Sequence, residues 1–578
     1  MYDLIVIGGG SGGMAAAREA AKFNKRVLLV EKGELGGTCV NLGCVPKKIT
    51  YNMTSIVEQM QLASSYGMQA RYELNYELFK RCRDDVIRRL NAIYEKLLGN
   101  SNVEIIRGYA RVISAGEVEV NGQVYKGTYI LLASGSKPKA LKIKGAEFVR
   151  YSDDFFYLTS IPKKTVIIGS GYISLEIAFM LALLGSDVSI VLRGKHFLSH
   201  FDTLFDAVVK EQLKKYRIET YYEENVLEVR EESNDETNEG MMNGEDMVGN
   251  EGMMSNNETK EGMMSEEESE NNEKKNRSNC KNSKSANEQI SAEQKENDVP
   301  LDTSYGSKIK HMKVIDVSKE EIGRKVRFDI RGQKIDIEHK EDVYEIHKDE
   351  LRVELEGQRT SKGVYEVVLK NTTIKNVNFV MCAIGRDCDL SYVQLPVHTY
   401  NNYAVVDHKF MTSVPNVYAV GDLVGPDHML TPFAIFCSRK LVRFLFNDEP
   451  MPADVYEFVP SVIFTHPPCA SVGLSEAAAS AKYDSVEVYE TRFNNLLYAL
   501  SEHKTASVFK AIVHRGQVVG LHLFGNGVDE MVQGFALSMK NGLSLSDLNN
   551  CVCVHPTAAE EVVTLCRVTP RAADKRDH

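Results

Sequence analysis

The sequence predicts an α/β protein with two doubly wound dinucleotide-binding domains and a C-terminal α+β domain, and three observations carry that expectation. An apolar run, a glycine cluster, a helical stretch and a second apolar run ending in an acid follow one another over residues 3–31. The same order returns over residues 165–193, there ending in a base, Arg193. Roughly the last hundred residues alternate short strand and helix patterns instead. Two nucleotide units in one chain point to electrons passing between two cofactors.

The first unit opens with Asp3-Leu4-Ile5-Val6-Ile7, an apolar run of strand length, before Gly8-Gly9-Gly10-Ser11-Gly12-Gly13 and a helix expected over residues 14–23. In Gly8-x-Gly10-x-x-Gly13 the glycines supply a tight turn, close backbone approach to a pyrophosphate and close helix packing, with the phosphate on the helix N-terminus. A second strand, Arg26 to Val30, ends at Glu31, whose carboxylate can take ribose hydroxyls. A helix follows over residues 76–98, then a return strand, Tyr129-Ile130-Leu131-Leu132-Ala133.

The second unit runs from Thr165-Val166-Ile167-Ile168 through Gly169-Ser170-Gly171-Tyr172-Ile173-Ser174 and a helix to about residue 184, to a strand over 187–192. A small residue, Ser174, replaces the third glycine, and Arg193 stands where an acid would favour NAD. A guanidinium forms bidentate hydrogen bonds to a 2′-phosphate, so this site is expected to take NADPH. Lys195, His196 and His200 either add charge to that site or form a solvated basic loop.

The 578 residues carry 69 Lys+Arg against 80 Asp+Glu, a formal charge of −11. Residues 231–270 alone hold 14 acids and one base, Lys260, so the rest of the chain is near +2. Glu-Gly-Met-Met recurs at 239–242, 251–254 and 261–264, and residues 231–289 contain no aromatic residue and no Leu. Such a stretch buries too little apolar surface to offset its ordering entropy, so residues 231–347 read as a low-complexity, largely disordered insertion. The Met pairs are either filler or a binding surface, and the alternation at Val326-Arg327-Phe328-Asp329-Ile330 suggests that order returns in part. An acidic balance argues against a nucleic-acid partner only where it is spread over the folded surface, which it is not here; no nucleic-acid partner is expected all the same. No stretch approaches the roughly 20 apolar residues of a membrane span. Without a charged leader and apolar stretch, the chain is expected in the cytoplasm.

Between the units lies Gly36-Gly37-Thr38-Cys39-Val40-Asn41-Leu42-Gly43-Cys44-Val45-Pro46-Lys47-Lys48. In a cytosolic chain, two cysteines separated by four residues point to redox exchange or metal. Zinc would want a second pair at similar spacing, and Cys551-x-Cys553 does not supply it, so no metal is expected. Disulfide exchange beside a flavin needs one sulfur against the flavin ring and another accessible to a substrate disulfide.

These strings, with Ala383-Ile384-Gly385-Arg386, the Val-Tyr-Ala-Val-Gly-Asp run ending at Asp422, and the His-Pro-Thr-Ala-Ala-Glu-Glu run opening at His555, resemble the FAD-dependent pyridine nucleotide–disulfide oxidoreductases, among them the glutathione reductases most closely. The likeness covers nearly the whole chain outside the insertion. It implies FAD and NADPH as cofactors, glutathione disulfide as substrate and a homodimer whose C-terminal domain is the interface. It also implies an FAD domain at 1–136, an NADPH domain at 137–384 interrupted by the insertion, a central domain at 385–456, an interface domain at 457–566 and a polar tail at 567–578.

By the same resemblance Cys39 is the interchange thiol and Cys44 the thiol facing the flavin. Lys47 pairs with Glu176 beside the flavin, Tyr172 covers the nicotinamide pocket, and His555, oriented by Glu560, serves as acid/base in the partner subunit's site. FAD is implied at Gly8, Gly10, Ser11, Gly12, Gly13, Glu31, Thr38, Cys39, Lys47, Ala110, Asp422 and Thr431. NADPH is implied at Gly169, Ser170, Gly171, Ile173, Glu176, Arg193 and Gly385, and the substrate at Ser11, Arg18, Tyr94 and Arg439. Arg18 and Arg439 match arginines that bind glutathione carboxylates. Departures are Ser199 in place of a second phosphate-binding arginine, Glu19 in place of an arginine, and Phe436-Cys437-Ser438 in place of a run of small residues. Two alternatives stay open: a relative that reduces thioredoxin or another disulfide, although only Cys566 follows the His555 motif, and a regulated interaction protein that uses the acidic insertion.

Overall fold

The computed structural model describes residues 1–232, 325–330, 333–340, 343–345, 363–426, 429–453 and 455–568. Strand β1 (Tyr2–Ile7) is buried at five of six positions because helices and sheet cover both its faces. It lies parallel between β2 (Val27–Glu31) and β6 (Gln123–Leu132). Beyond β2 comes β3 (Glu104–Arg107), and beyond β6 the antiparallel β5 (Glu117–Val120) and β4 (Ala110–Ser114). The crossover helix α1 (Ser11–Lys22) begins three residues before the expected start, because Gly12 and Gly13 are helical rather than part of the turn. Between β2 and β3 the chain forms α2 (Cys44–Leu62) and α3 (Tyr76–Asn100), whose cap, Asn75, accepts from Leu78 N at 2.9 Å.

The second sheet is wholly parallel. Its order runs β10 (Glu219–Tyr221), β9 (Asp187–Val191), β8 (Lys164–Ile168), β17 (Phe379–Cys382) and β7 (Arg150–Tyr151). Helix α4 (Tyr172–Leu183) is apolar on every side and almost wholly buried against it, and α5 (Thr203–Lys215) is capped by Asp202. A small antiparallel sheet joins β11 (Val226–Glu231), β15 (Tyr365–Leu369) and β16 (Thr373–Val377).

The chain leaves this sheet at Glu231 and re-enters at Tyr365, residues paired directly across the two strands. The long insertion therefore replaces a hairpin turn, where extra chain disturbs no core. Residues 234–359 separate as their own compact unit, ending beyond the expected limit of 347. Within it, the alternating run is a strand, β12 (Lys325–Ile330), antiparallel to β13 (Gln333–Lys340), which pairs with β14 (Val343–Glu345). The Met-rich repeats lie outside the described residues.

After the second sheet, β18 (Val417–Ala419) returns to the first one and pairs with β6, and α6 (Thr431–Asn447) packs along α1. The C-terminal region is one antiparallel sheet in the order β19 (Ser461–Ile463), β20 (Cys469–Gly473), β23 (Gln517–Phe524), β22 (Ala506–His514), β21 (Glu487–Asn494) and β24 (Cys566–Arg567). Helix α7 (Val528–Lys540) packs on β20 and β23. Among the described residues no helix is long and apolar enough to cross a membrane.

Candidate active site

The first glycine turn shows why each glycine is needed. Gly8 has φ +108°, and a Cβ there would stand 2.3 Å from Ala133 O. A Cβ on Gly13 would lie 1.9 Å from Gly8 O, so only glycine lets α1 start this close to β1. Glu31 at the end of β2 accepts from Gly9 N at 2.5 Å and from Gly33 N at 2.7 Å, which fixes its carboxylate beside the turn. The cysteine loop packs on the same turn: a Cβ on Gly37 would come within 2.8 Å of Gly10 Cα. Ser11 opens α1, Ala110 opens β4, and Thr38 lies in the single helical turn that carries Cys39.

The second turn is roomier. Gly169 has φ +132° with Ala383 O 2.4 Å from a built Cβ, while a Cβ on Gly171 or Gly385 would meet nothing within 4 Å. Ser174 is fully buried and donates to Ala383 O at 3.5 Å. Leu198 N donates to Ser170 O at 3.0 Å, folding the loop after Arg193 back onto the turn. Ile173 lies in the first turn of α4, and the Arg193 side chain is exposed. Lys195 and His196 pair with Glu223 at 3.6 Å and Asp206 at 2.7 Å, which favours the solvated-loop reading for those two. Neither helix start is capped by a side chain, which suits a dinucleotide pyrophosphate.

Cys39 sits in the turn Gly37–Asn41 and Cys44 is the first residue of α2. Their thiols share a hydrogen bond that splits their acidities. Chiefly that bond brings Cys44 down to about 6 against the opposing effect of burial, with help from the Thr431 hydroxyl and the Lys47 charge. The same bond, then burial, pushes the Cys39 thiol well up. A helix N-terminus also favours a thiolate at Cys44. Thr431, the first residue of α6, holds its Oγ1 3.7 Å from Cys44 Sγ. Lys47 Nζ is 2.9 Å from Glu176 Oε1 on α4, and Tyr172 opens that helix with 39% of its surface exposed. Asp422 accepts from Ser136 Oγ at 2.6 Å, and Ser136 in turn accepts from Arg386 Nε at 2.7 Å.

The packing of α6 on α1 places Arg439 and Arg18 on neighbouring helices. Arg439 is exposed, and Arg18 Nε is buried with no partner among the described residues. Tyr94, on α3, packs partly against the apolar core that α1 and α6 share. Glu19, a departure from the family pattern, has a structural reason: it is 3% exposed and bridges Arg443 of α6 at 2.7 Å and Lys22 at 2.8 Å. Burial alone would raise its pKa, but the two cations outweigh it and hold the carboxyl low.

His555 stands on a loop with its side chain 80% exposed, and its Nδ1 donates to Glu560 at 2.9 Å. Thr557 N donates to the same carboxylate at 3.0 Å, and the His555 bond heads the causes that hold Glu560 below its usual range. The outer ring nitrogen is thereby left for proton transfer. Among the described residues no hydrogen bond joins His555 to Cys39 within one chain.

Residues 2–268 and 308–436 match the family described as pyridine nucleotide-disulphide oxidoreductase, and residues 459–566 match its dimerisation domain. The chain belongs to the pyridine nucleotide–disulphide oxidoreductases. It is 32% identical over 585 residues to the protein named glutathione reductase from Schizosaccharomyces pombe, an alignment covering 98% of each chain. The fold class expected from the two glycine turns is therefore that of this oxidoreductase family, and its cofactors are FAD and NADPH.

Sequence reading missed what supports the cysteines in this family member. Phe464 N donates to Glu176 Oε1 at 2.9 Å, beside the Lys47 that pairs with the same oxygen; apart from the cysteines, Ser136 and Arg386 brace Asp422. A backbone donor leaves no residue-type signal, so nothing in the string around Phe464 could have announced it.

Proposed function

We propose that the chain is a homodimeric, NADPH-dependent reductase of glutathione disulfide that works through Cys39 and Cys44. The observation that carries the reading is the asymmetric thiol pair: one sulfur is ionised near neutral pH at a helix start, and the other keeps its proton until a base removes it. Bound FAD and NADPH supply the electron pair that returns a Cys39–Cys44 disulfide to two thiols. Gly8 to Gly13, Glu31, Thr38, Ala110, Asp422 and Thr431 would hold the flavin nucleotide. Gly169 to Ile173, Arg193 and Gly385 would hold NADPH, with Tyr172 over the nicotinamide pocket.

After reduction, Cys44 holds the negative charge and Cys39 the proton. The partner subunit's His555, oriented by the partner subunit's Glu560, takes that proton. The Cys39 thiolate attacks one sulfur of glutathione disulfide, the substrate S–S bond breaks, and a Cys39–glutathione mixed disulfide forms. The first glutathione leaves as a thiol with the proton returned from the partner's His555. Cys44 then attacks the Cys39 sulfur, expels the second glutathione, which takes its proton from water, and closes the Cys39–Cys44 disulfide. Lys47 stands near Cys44 and is itself held by Glu176.

Arg18 and Arg439 support glutathione over a cationic disulfide, because they present guanidinium groups suited to carboxylates on adjacent helices. A shared site requires a two-fold dimer through the C-terminal domain, and the match of residues 459–566 supports it. We place the enzyme in the cytoplasm, where a reducing thiol pool is what this activity maintains. Nucleic acid and membrane have no part in it. The test is NADPH oxidation by the purified yellow protein offered oxidised glutathione, thioredoxin, trypanothione or lipoamide in parallel. Fastest turnover with oxidised glutathione is expected, and preference for another disulfide would replace the substrate assignment.

A further inference from the structure

Five residues between β19 and β20, Phe464-Thr465-His466-Pro467-Pro468, reach from the C-terminal domain to the redox helix. The first gives its N–H to Glu176 Oε1, the same oxygen that accepts Lys47 Nζ, each at 2.9 Å. Its ring lies beneath two ammonium groups, with Lys47 Nζ 3.8 Å and Lys48 Nζ 4.2 Å from the centroid. Tyr51 of α2 meets that ring edge-on at 5.2 Å.

Two residues on, His466 is 1% exposed. Its Nδ1 donates to Glu58 Oε2 at 3.1 Å, its Nε2 lies 3.1 Å from Thr54 Oγ1, and its ring stands 4.7 Å from Tyr51. Thr54 and Glu58 both belong to α2, the helix that begins at Cys44. Glu58 also accepts the Tyr216 hydroxyl, and Lys215 Nζ lies 3.9 Å away, so the second-sheet domain is tied to the same carboxylate.

The consequence for Cys44 follows from charge. Lys47 lowers the Cys44 pKa and Glu176 raises it, so the balance depends on where each head group stands. A lysine ammonium on a flexible stem costs entropy to hold in one place, and an aromatic face beneath it removes much of that freedom. Glu176, 4% exposed, needs every available donor, and the Phe464 N–H is one of them.

We propose that Phe464 and His466 are positioning residues of the redox site. His466 pins the segment to α2 through Glu58 and Thr54, and Phe464 sets where the Lys47–Glu176 pair stands at the start of that helix. This rests on the reading of Cys39 and Cys44 as the redox pair. Neither residue touches a reacting sulfur; both act through Lys47 and Glu176.

The test uses the FAD-loaded dimer reduced by two electrons, following the long-wavelength absorbance that a thiolate gives against an oxidised flavin as pH is lowered. Wild type should lose that absorbance through about pH 6. Phe464→Leu keeps the backbone donor and removes the ring, and its midpoint should rise by about half a pH unit. Flavin reduction by NADPH should slow about threefold with the KM for the disulfide unchanged. Phe464→Tyr should restore wild-type behaviour. His466→Ala should shift the midpoint the same way, and His466→Gln, which can still donate to Glu58, should recover most of it. Unchanged midpoints and flavin-reduction rates in Phe464→Leu and His466→Ala, with only a lower Tm, would overturn the proposal. Absence of the absorbance in wild type would overturn the assignment of Cys44 beneath it.

Discussion

In the first nucleotide cradle a Cβ on Gly13 would stand 1.9 Å from Gly8 O, and the cysteine loop presses Gly37 onto Gly10; in the second, Ser174 replaces the third glycine and positions 171 and 385 face open space. The two turns share a backbone device and differ in what is built against them. The first is fastened to the redox loop, so its geometry and that of Cys39 stand or fall together. The second is met instead by the loop after Arg193, and Arg193, which we propose chooses the nucleotide, is exposed.

Three substitutions break or sharpen that contrast. Gly13→Ala forces backbone apart at α1 and β1 and should cost about 3 kcal/mol or more. Protein carrying it should purify colourless, with a lowered Tm, and full yellow occupancy would show that the first cradle is looser than its geometry. Arg193→Glu leaves the fold alone but repels a 2′-phosphate. Its KM for NADPH should rise roughly 10- to 100-fold, while that for NADH changes little, and equal shifts for the two nucleotides would remove Arg193 from cofactor choice. Ser174→Gly makes the second turn resemble the first at the expense of helix propensity in α4, about 1 kcal/mol at most. Thermal melting should show a small fall in Tm with both KM values for nucleotide unchanged. A loss as large as that of Gly13→Ala would mean that the two cradles are under the same constraint.

Much of this was legible in sequence because its causes are local. A glycine turn between an apolar run and a helix announces itself within about thirty residues, and so does a pair of cysteines separated by four positions. The pieces that were not legible depend on distant chain. Strand β18 joins the first sheet beside β6, nearly three hundred residues earlier, with nothing in Val417 to Ala419 to name its neighbour. Glu19 read as a departure from the family pattern until its partner Arg443 was seen on α6. The insertion was visible from composition, but its separation at residues 234–359 depends on the pairing of Glu231 with Tyr365. The motif at His555 was visible in the string, whereas the segment beside Lys47 and Glu176 acts through one backbone N–H and one ring face.

The division of labour between the two sulfurs is tested most directly by Cys39→Ser in the FAD-loaded dimer, following flavin reduction by NADPH and glutathione release in the same preparation. The flavin should still be reduced, because Cys44, Lys47 and Glu176 are intact, and glutathione disulfide should not be turned over. Normal glutathione production by that variant would contradict the mechanism.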